Sequence, residues 1–425
     1  MDFKLRHLML LMFILILSKQ AIAANVNYTA RSSVGYSDNI TRTGIAANQL
    51  KDSIASIGGT LSIVDESSTN DFILDMSADY VDYRNNTFEE EIIANIALAS
   101  NFSLVDDSFT WTLDGYYGQQ AISAFTVVTP NNLQNTGFVS TGPNLVFRFT
   151  DLDSLTLGYR YRDFYAEQTP SDYQSNVFSA VLARRLSPLH TLSFNIETEN
   201  LTYDDPFISS FADFENLQYT IALTGASRTN QYGIEFGVIN VKFDTGTRGD
   251  NDVYRLFFNR DMNSSNTLSL QLSRTVENGA RAVTGIIPGV VTTGLFANDL
   301  AQFSYGYNRG GLQIDFNSTY SDQDFITQNS QDRKNLNNSI SFLYGTPRNI
   351  QVGLSYNRLE RDFYTTGIIN NEDTITLTLE KQIFTNIIIG GTYINFTRKT
   401  TNVNVPVSDI EENRVILTLR YLGRI

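Results

Sequence analysis

Short runs of alternating apolar and polar residues, joined by connections that are long and short in turn, recur along this chain and leave few folds open to it. Between Ser154 and Asp205, Leu155, Leu157, Tyr159 and Tyr161 alternate with Thr156, Gly158, Arg160 and Arg162. Further on, Leu192, Phe194 and Ile196 alternate with Ser193, Asn195 and Glu197. Side chains alternate faces along a strand, so each run has one apolar and one polar face. From Val26–Tyr36 to Arg414–Leu422 there are about 20 such runs, mostly of about 9–13 residues, near the length a tilted membrane strand needs. Short connections such as Val105–Ser108, Ser187–His190, Asn308–Gly311 and Thr385–Asn386 are rich in Asp, Asn, Gly, Ser and Pro, which accept tight-turn dihedrals. Long ones such as Ser37–Asp52, Gln120–Thr136, Asp204–Asp213, Val276–Asp299 and Arg398–Asn413 stand between them. Asp65–Asp71 is a somewhat longer member of the short set.

This layout predicts an all-β chain: a transmembrane antiparallel up-and-down β-barrel of about 20 strands, with short periplasmic turns and longer extracellular loops. The first and last connections are both long, so both termini fall at the short-turn rim and the strand count is even. Lys4 and Arg6, the apolar run Leu8–Leu17 and the small-residue step Ala21-Ile22-Ala23 have the order of a cleaved secretory signal, residues 1–23. Residues 24–425 then form a single barrel domain, with no linker or change of composition to divide it. Losing Lys4, Arg6, Lys19 and Asp2 removes three positive charges and one negative, which takes the formal charge from -14 to -16. With no cysteine, stability rests on hydrogen bonding and packing, as suits a Gram-negative envelope protein.

The two faces of each run carry separate expectations. If the apolar face meets lipid, Leu377, Leu379, Val415, Leu417 and Leu419 lie outside, and Arg160, Arg162, Glu197, Glu199, Glu380, Arg414 and Arg420 line the lumen. Strands heading toward the long loops end in aromatic residues. Tyr36, Tyr80, Tyr83, Tyr117, Tyr161, Tyr165, Tyr203, Tyr320 and Tyr364 are expected to form a girdle at the membrane–water boundary, where an apolar ring with a polar tip is at home.

The chemistry is sparse. Of the two histidines, His7 lies in the leader and His190 in a predicted periplasmic turn, where it reads as a solvated residue. Serine–histidine catalysis and a His/Cys metal site have no residues to build on, so the chain reads as no enzyme, with no cofactor and no metal. The loop Asp244–Asp252 offers oxygen ligands but not the spacing of an EF-hand. An acidic chain with few lysines is a poor nucleic-acid binder. The expected partners are outer-membrane lipid and the barrel-assembly machinery.

Val34-Gly35-Tyr36-Ser37-Asp38-Asn39-Ile40, a strand running into "YSDNI" soon after the leader, resembles a family of outer-membrane barrel proteins that accompany exopolysaccharide and PEP-CTERM (exosortase) gene clusters. The layout of the whole chain is similar to that family; the residue match is confined to this heptad. The resemblance implies a part in polysaccharide assembly or export, with polysaccharide-export components as partners, and brings no catalytic residue. One departure is the ending Leu422-Gly-Arg-Ile425, where such barrels usually close on an aromatic residue. The expected function is a porin-like channel in the Gram-negative outer membrane; the alternative is a structural or adhesive barrel whose outer loops bind partners.

Overall fold

The computed structural model describes residues 25–67, 69–106, 108–278, 294–326, 331–402 and 409–424, so residues 1–24, where the cleaved signal and His7 are expected, and Ile425 lie outside the described residues. Twenty strands follow one another. They are β1 (Asn25–Ser37), β2 (Asp52–Glu66), β3 (Asn70–Tyr83), β4 (Glu91–Val105), β5 (Phe109–Ala121), β6 (Leu133–Arg148) and β7 (Asp153–Ala166). Next come β8 (Tyr173–Ser187), β9 (His190–Tyr203), β10 (Phe214–Ala226), β11 (Asn230–Phe243), β12 (Arg248–Asn263), β13 (Asn266–Asn278) and β14 (Leu295–Arg309). The last are β15 (Leu312–Phe325), β16 (Arg333–Thr346), β17 (Ile350–Phe363), β18 (Ile368–Phe384), β19 (Ile387–Asn402) and β20 (Ile410–Arg424). Each pairs antiparallel with its sequence neighbours, and β20 pairs with β1 from Asn27↔Arg424 to Ser37↔Arg414. The sheet closes on itself, which leaves no unpaired edge.

The short connections shrink to tight turns. Gly310 and Gly311 alone separate β14 from β15, with φ of 63° and 83°, the left-handed pair that a two-residue hairpin requires. The turn between Glu66 and Asn70 is also short, so the sequence exception disappears once β2 and β3 run their full length. Strands extend into the long connections as well. β12 starts at Arg248, so most of Asp244–Asp252 is strand, and Asp250 there accepts a hydrogen bond from Asn240 Nδ2 at 2.9 Å.

Register separates the two faces. Val34 pairs with Ala55 and Ser32 with Ile57, and on to Tyr80, Ile92 and the rest of the outward set. This outward face carries exposed apolar side chains all round the barrel, among them Ile57 at 64%, Phe178 at 56% and Leu417 at 60%. The inward face carries serine, threonine, asparagine and glutamine with scattered charges. Along β18, Thr374, Thr376 and Thr378 point inward while Ile375, Leu377 and Leu379 point out. An apolar outside and a polar inside invert the soluble arrangement and suit a barrel in lipid.

Candidate functional site

Arg160, Arg162, Glu197, Glu199, Glu380, Arg414 and Arg420 all occupy inward positions of the wall. The structure brings most of them into pairs. Arg162 Nη1 lies 3.0 Å from Glu199 Oε1, which also accepts from Ser175 Oγ at 2.8 Å. Arg420 Nη2 lies 2.8 Å from Glu380 Oε2. Arg160 instead donates to Pro143 O at 3.0 Å and Asn144 Oδ1 at 2.8 Å. Arg31 and Asp79, which the sequence did not single out, form a further inward pair. Toward the short-turn rim the inner wall is wet: Asp71, Ile73, Asp75, Asn95 and Asn101 are exposed on the inward face of β3 and β4.

The tyrosines divide. Tyr36, Tyr80 and Tyr320 are outward and exposed, Tyr117, Tyr161 and Tyr165 outward and half-buried. Tyr364 follows β17, exposed beside Lys334, whose Nζ lies 5.4 Å from its ring centroid. Burial, then the charges of Asp332, Asp322 and Asp324, push the Tyr364 phenol up to about 12. Tyr83 and Tyr203 correct the expectation: they are 6% and 4% exposed and face inward. The reason is parity. Tyr203 pairs with Tyr173 and stands an even number of residues from Glu199, so it shares the lumenal face of that acid. Tyr83 packs with Ile40, Val81 and Phe88 inside the mouth. His190 is likewise no free turn residue; its Nδ1 lies 2.8 Å from Ser187 Oγ and its Nε2 2.7 Å from Tyr232 Oη.

The outer mouth holds what sequence reading missed: long loops that fold into the barrel. Between β9 and β10 a short helix, α1 (Pro206–Ala212), starts on Asp205, whose carboxylate accepts from Phe207 N and Ile208 N, with Pro206 in the first turn. That Asp-Pro step was the available signal. Ile208 and Ala212 of α1 pack into an inward cluster with Phe164, Tyr173, Tyr203, Phe214, Val241 and Phe243. The end of the β13–β14 hairpin joins them, Gly294 N donating to Tyr203 Oη at 3.3 Å. One side of the mouth is therefore packed with apolar residues.

The other side is covered by residues 122–132, between β5 and β6. Asn132 braces this loop from within: its Oδ1 accepts from Ser123 N at 2.9 Å, and its Nδ2 donates to Ser123 O at 3.0 Å and Val127 O at 3.2 Å. The braced loop crosses to distant strands. Phe125 lies 4.4 Å, centroid to centroid, from Phe363 at the end of β17. Arg398 Nη2 of β19 donates to Phe125 O at 2.5 Å, and Arg42 Nη1 to Val128 O at 3.0 Å.

Among the described residues no group of three His, Cys, Asp or Glu is placed to hold a metal ion. No family model matches the sequence, and no curated protein matches it. Solved structures do resemble the barrel. The FrpB iron transporter from Neisseria meningitidis has a TM-score of 0.47 at 9% identity, covering 93% of this chain and 82% of that one. The siderophore receptor PirA from Acinetobacter baumannii has 0.49 at 8% identity, with 93% and 80% covered. OpdO from Pseudomonas aeruginosa has 0.38 at 12% identity, with 94% and 97% covered. These neighbours are outer-membrane β-barrel proteins, and the likeness is one of fold.

Proposed function

We propose that the chain is a porin-like channel of the Gram-negative outer membrane, held shut at its outer mouth by residues 122–132. The observation that carries this reading is the division of the wall: an apolar outer band, and an inner face of hydroxyl and amide groups that is wet toward the short-turn rim. Inward Thr376, Thr378, Ser339, Ser341, Ser355 and Asn357 line neighbouring strands and can exchange hydrogen bonds with a polyhydroxylated solute in place of water. That chemistry, together with the heptad Val34–Ile40, supports service to an exopolysaccharide pathway. The adhesive alternative needs loops that project outward. Here residues 38–51, 122–132 and 204–213 carry buried contacts into the mouth, which favours the channel.

Planar-bilayer recording tests the reading. Folded barrel, verified by slower or faster gel migration before boiling than after, is expected to give stepwise current, small or rare while the loop is clamped. A flat trace from such folded protein, persisting when the loop is loosened by Asn132→Ala, overturns it.

A further inference from the structure

The wall beneath residues 122–132 is short of negative charge. Arg361 Nη1 lies 3.1 Å from Glu372 Oε1, and Arg398 Nη1 faces the same oxygen at 3.3 Å without the alignment of a hydrogen bond. Arg333 stands diagonally next to Arg361 in the register, 7% exposed, with its Nε on Gln323 Oε1 at 2.7 Å. Among the described residues it has no carboxylate within ion-pair distance. On the adjoining strands Glu412 is shared in turn by Arg42 at 2.7 Å and Arg414 at 2.6 Å. Asp52 nearby is engaged by the backbone N–H groups of Ser53 and Asn85, and the buried Asp332, one residue before Arg333, by that of Phe325, so among the described residues neither pairs with a guanidinium. Five guanidinium groups thus answer to two carboxylates.

Arg333, Arg361, Glu372, Arg398, Glu412 and Arg414 each fall within the five outermost residues of their strand, so they form one arc just under the outer rim. The segments 279–293, 327–330 and 403–408, outside the described residues, contain no Asp or Glu in their sequence. A buried cation without a counter-charge is strongly disfavoured, and nearby guanidinium groups repel one another unless an anion joins them. Serine or threonine would have kept this wall as neutral as the wall below it.

We infer that this arc, centred on Arg333, Arg361 and Arg398, is a binding site for the anionic group of a solute, a carboxylate or phosphate. Guanidinium forks match the paired oxygens of such groups, and two of them converging on Glu372 with Arg333 unpaired beside them leave donors for a second anion. Arg398 also holds Phe125 O, so the site lies at the contact between wall and loop. The inference rests on the channel reading for the route by which the anion arrives, and on the side chains alone for the site.

Two measurements separate the two. In detergent, glucuronate or inorganic phosphate is expected to raise the temperature at which the folded barrel is lost, since a ligand that binds only the folded state stabilises it; glucose at equal concentration is the neutral control. Arg333→Gln is expected to weaken the effect by about tenfold, the loss of one charge-assisted hydrogen bond, and Arg333→Lys to restore part of it. Arg228→Gln, in an exposed short turn, is expected to match wild type. In bilayers under a salt gradient, the reversal potential is expected to show anion preference that Arg333→Gln reduces. Equal protection by glucuronate in wild type and Arg333→Gln, or equal protection by glucose, overturns the site while leaving the channel. Binding with silent bilayers keeps the site and overturns the channel.

Discussion

Asn132→Ala puts the outer mouth to the sharpest test, because it loosens the loop without touching the arginine wall. Asn132 is 9% exposed, and its side chain makes three neutral hydrogen bonds across the loop, to Ser123 N, Ser123 O and Val127 O. At about 0.5–1.5 kcal/mol net each they sum to about 1.5–4.5 kcal/mol. Water that replaces the lost amide puts the working value toward the low end, about 2 kcal/mol, or about thirtyfold in the balance between braced and unbraced loop. The backbone bonds Ile122 N to Asn132 O at 3.0 Å and Asn132 N to Thr129 O at 2.9 Å survive the substitution, as do the contacts from Arg398 and Arg42. The loop is therefore loosened rather than released. Hydrogen exchange of the Ser123 amide is expected to accelerate by about thirtyfold, the direct reading of that equilibrium. Single-channel open probability is expected to rise with it. Unchanged exchange refutes the bracing; faster exchange with unchanged open probability refutes the loop as the closure.

Three further substitutions bear on the wall and the rim. Leu417→Arg, on the lipid side, is expected to destabilise folding into vesicles by about 2–4 kcal/mol, while Thr418→Arg, one residue along and inward, costs well under half of that; denaturant titration checks both, and equal losses would reverse the face assignment. Glu412→Gln leaves Arg42 and Arg414 without their shared carboxylate and is expected to lower the temperature of barrel loss, by a local cost of about 3–5 kcal/mol. Asp332, just outside β16, is 4% exposed, and burial, helped by Asp324 and Asp322, holds its carboxyl above the usual range against the opposing bond from Phe325 N. A raised folded value means its contribution is full below about pH 4, the unfolded value, and is lost as pH rises through the folded one. The midpoint of heat modification is expected to fall over that window in wild type and to stay level in Asp332→Asn.

The barrel was legible because its determinants are local and periodic. Each strand announces itself by two-residue alternation, and each hairpin by the chemistry of its turn, as at Gly310-Gly311. The strand number followed from counting the alternating runs, and its being even from the alternation of connection lengths, with no need to know which strand closes on which. The girdle was legible only in part. Listing aromatic residues near strand ends took Tyr83 and Tyr203 together with Tyr36 and Tyr161, although position along a strand does not fix the face. Counting residues from Glu199 to Tyr203 would have turned that ring inward, into the cluster with Phe214 and Phe243.

The closure of the mouth could not be read in this way, because it depends on contacts between segments far apart in sequence. Phe125 and Phe363 lie in different hairpins, and nothing in either stretch points to the other. The same holds for Arg398 and the carbonyl of Phe125, which are brought together by curvature of the closed wall. What the sequence does carry is the charge imbalance. The chain is acidic by 14 charges, yet the inward positions near the outer ends of β16 to β20 read Arg333, Arg361, Arg398 and Arg414 against Glu372 and Glu412. A face-by-face count of charge, taken after strands are paired, exposes an arginine excess that the whole-chain total hides. In a barrel the solvent inside and the solvent outside are separate compartments, so net charge is a property of each face and of each level along the axis. The acidity of the chain says little about which ions its interior favours; the arc beneath residues 122–132 says more.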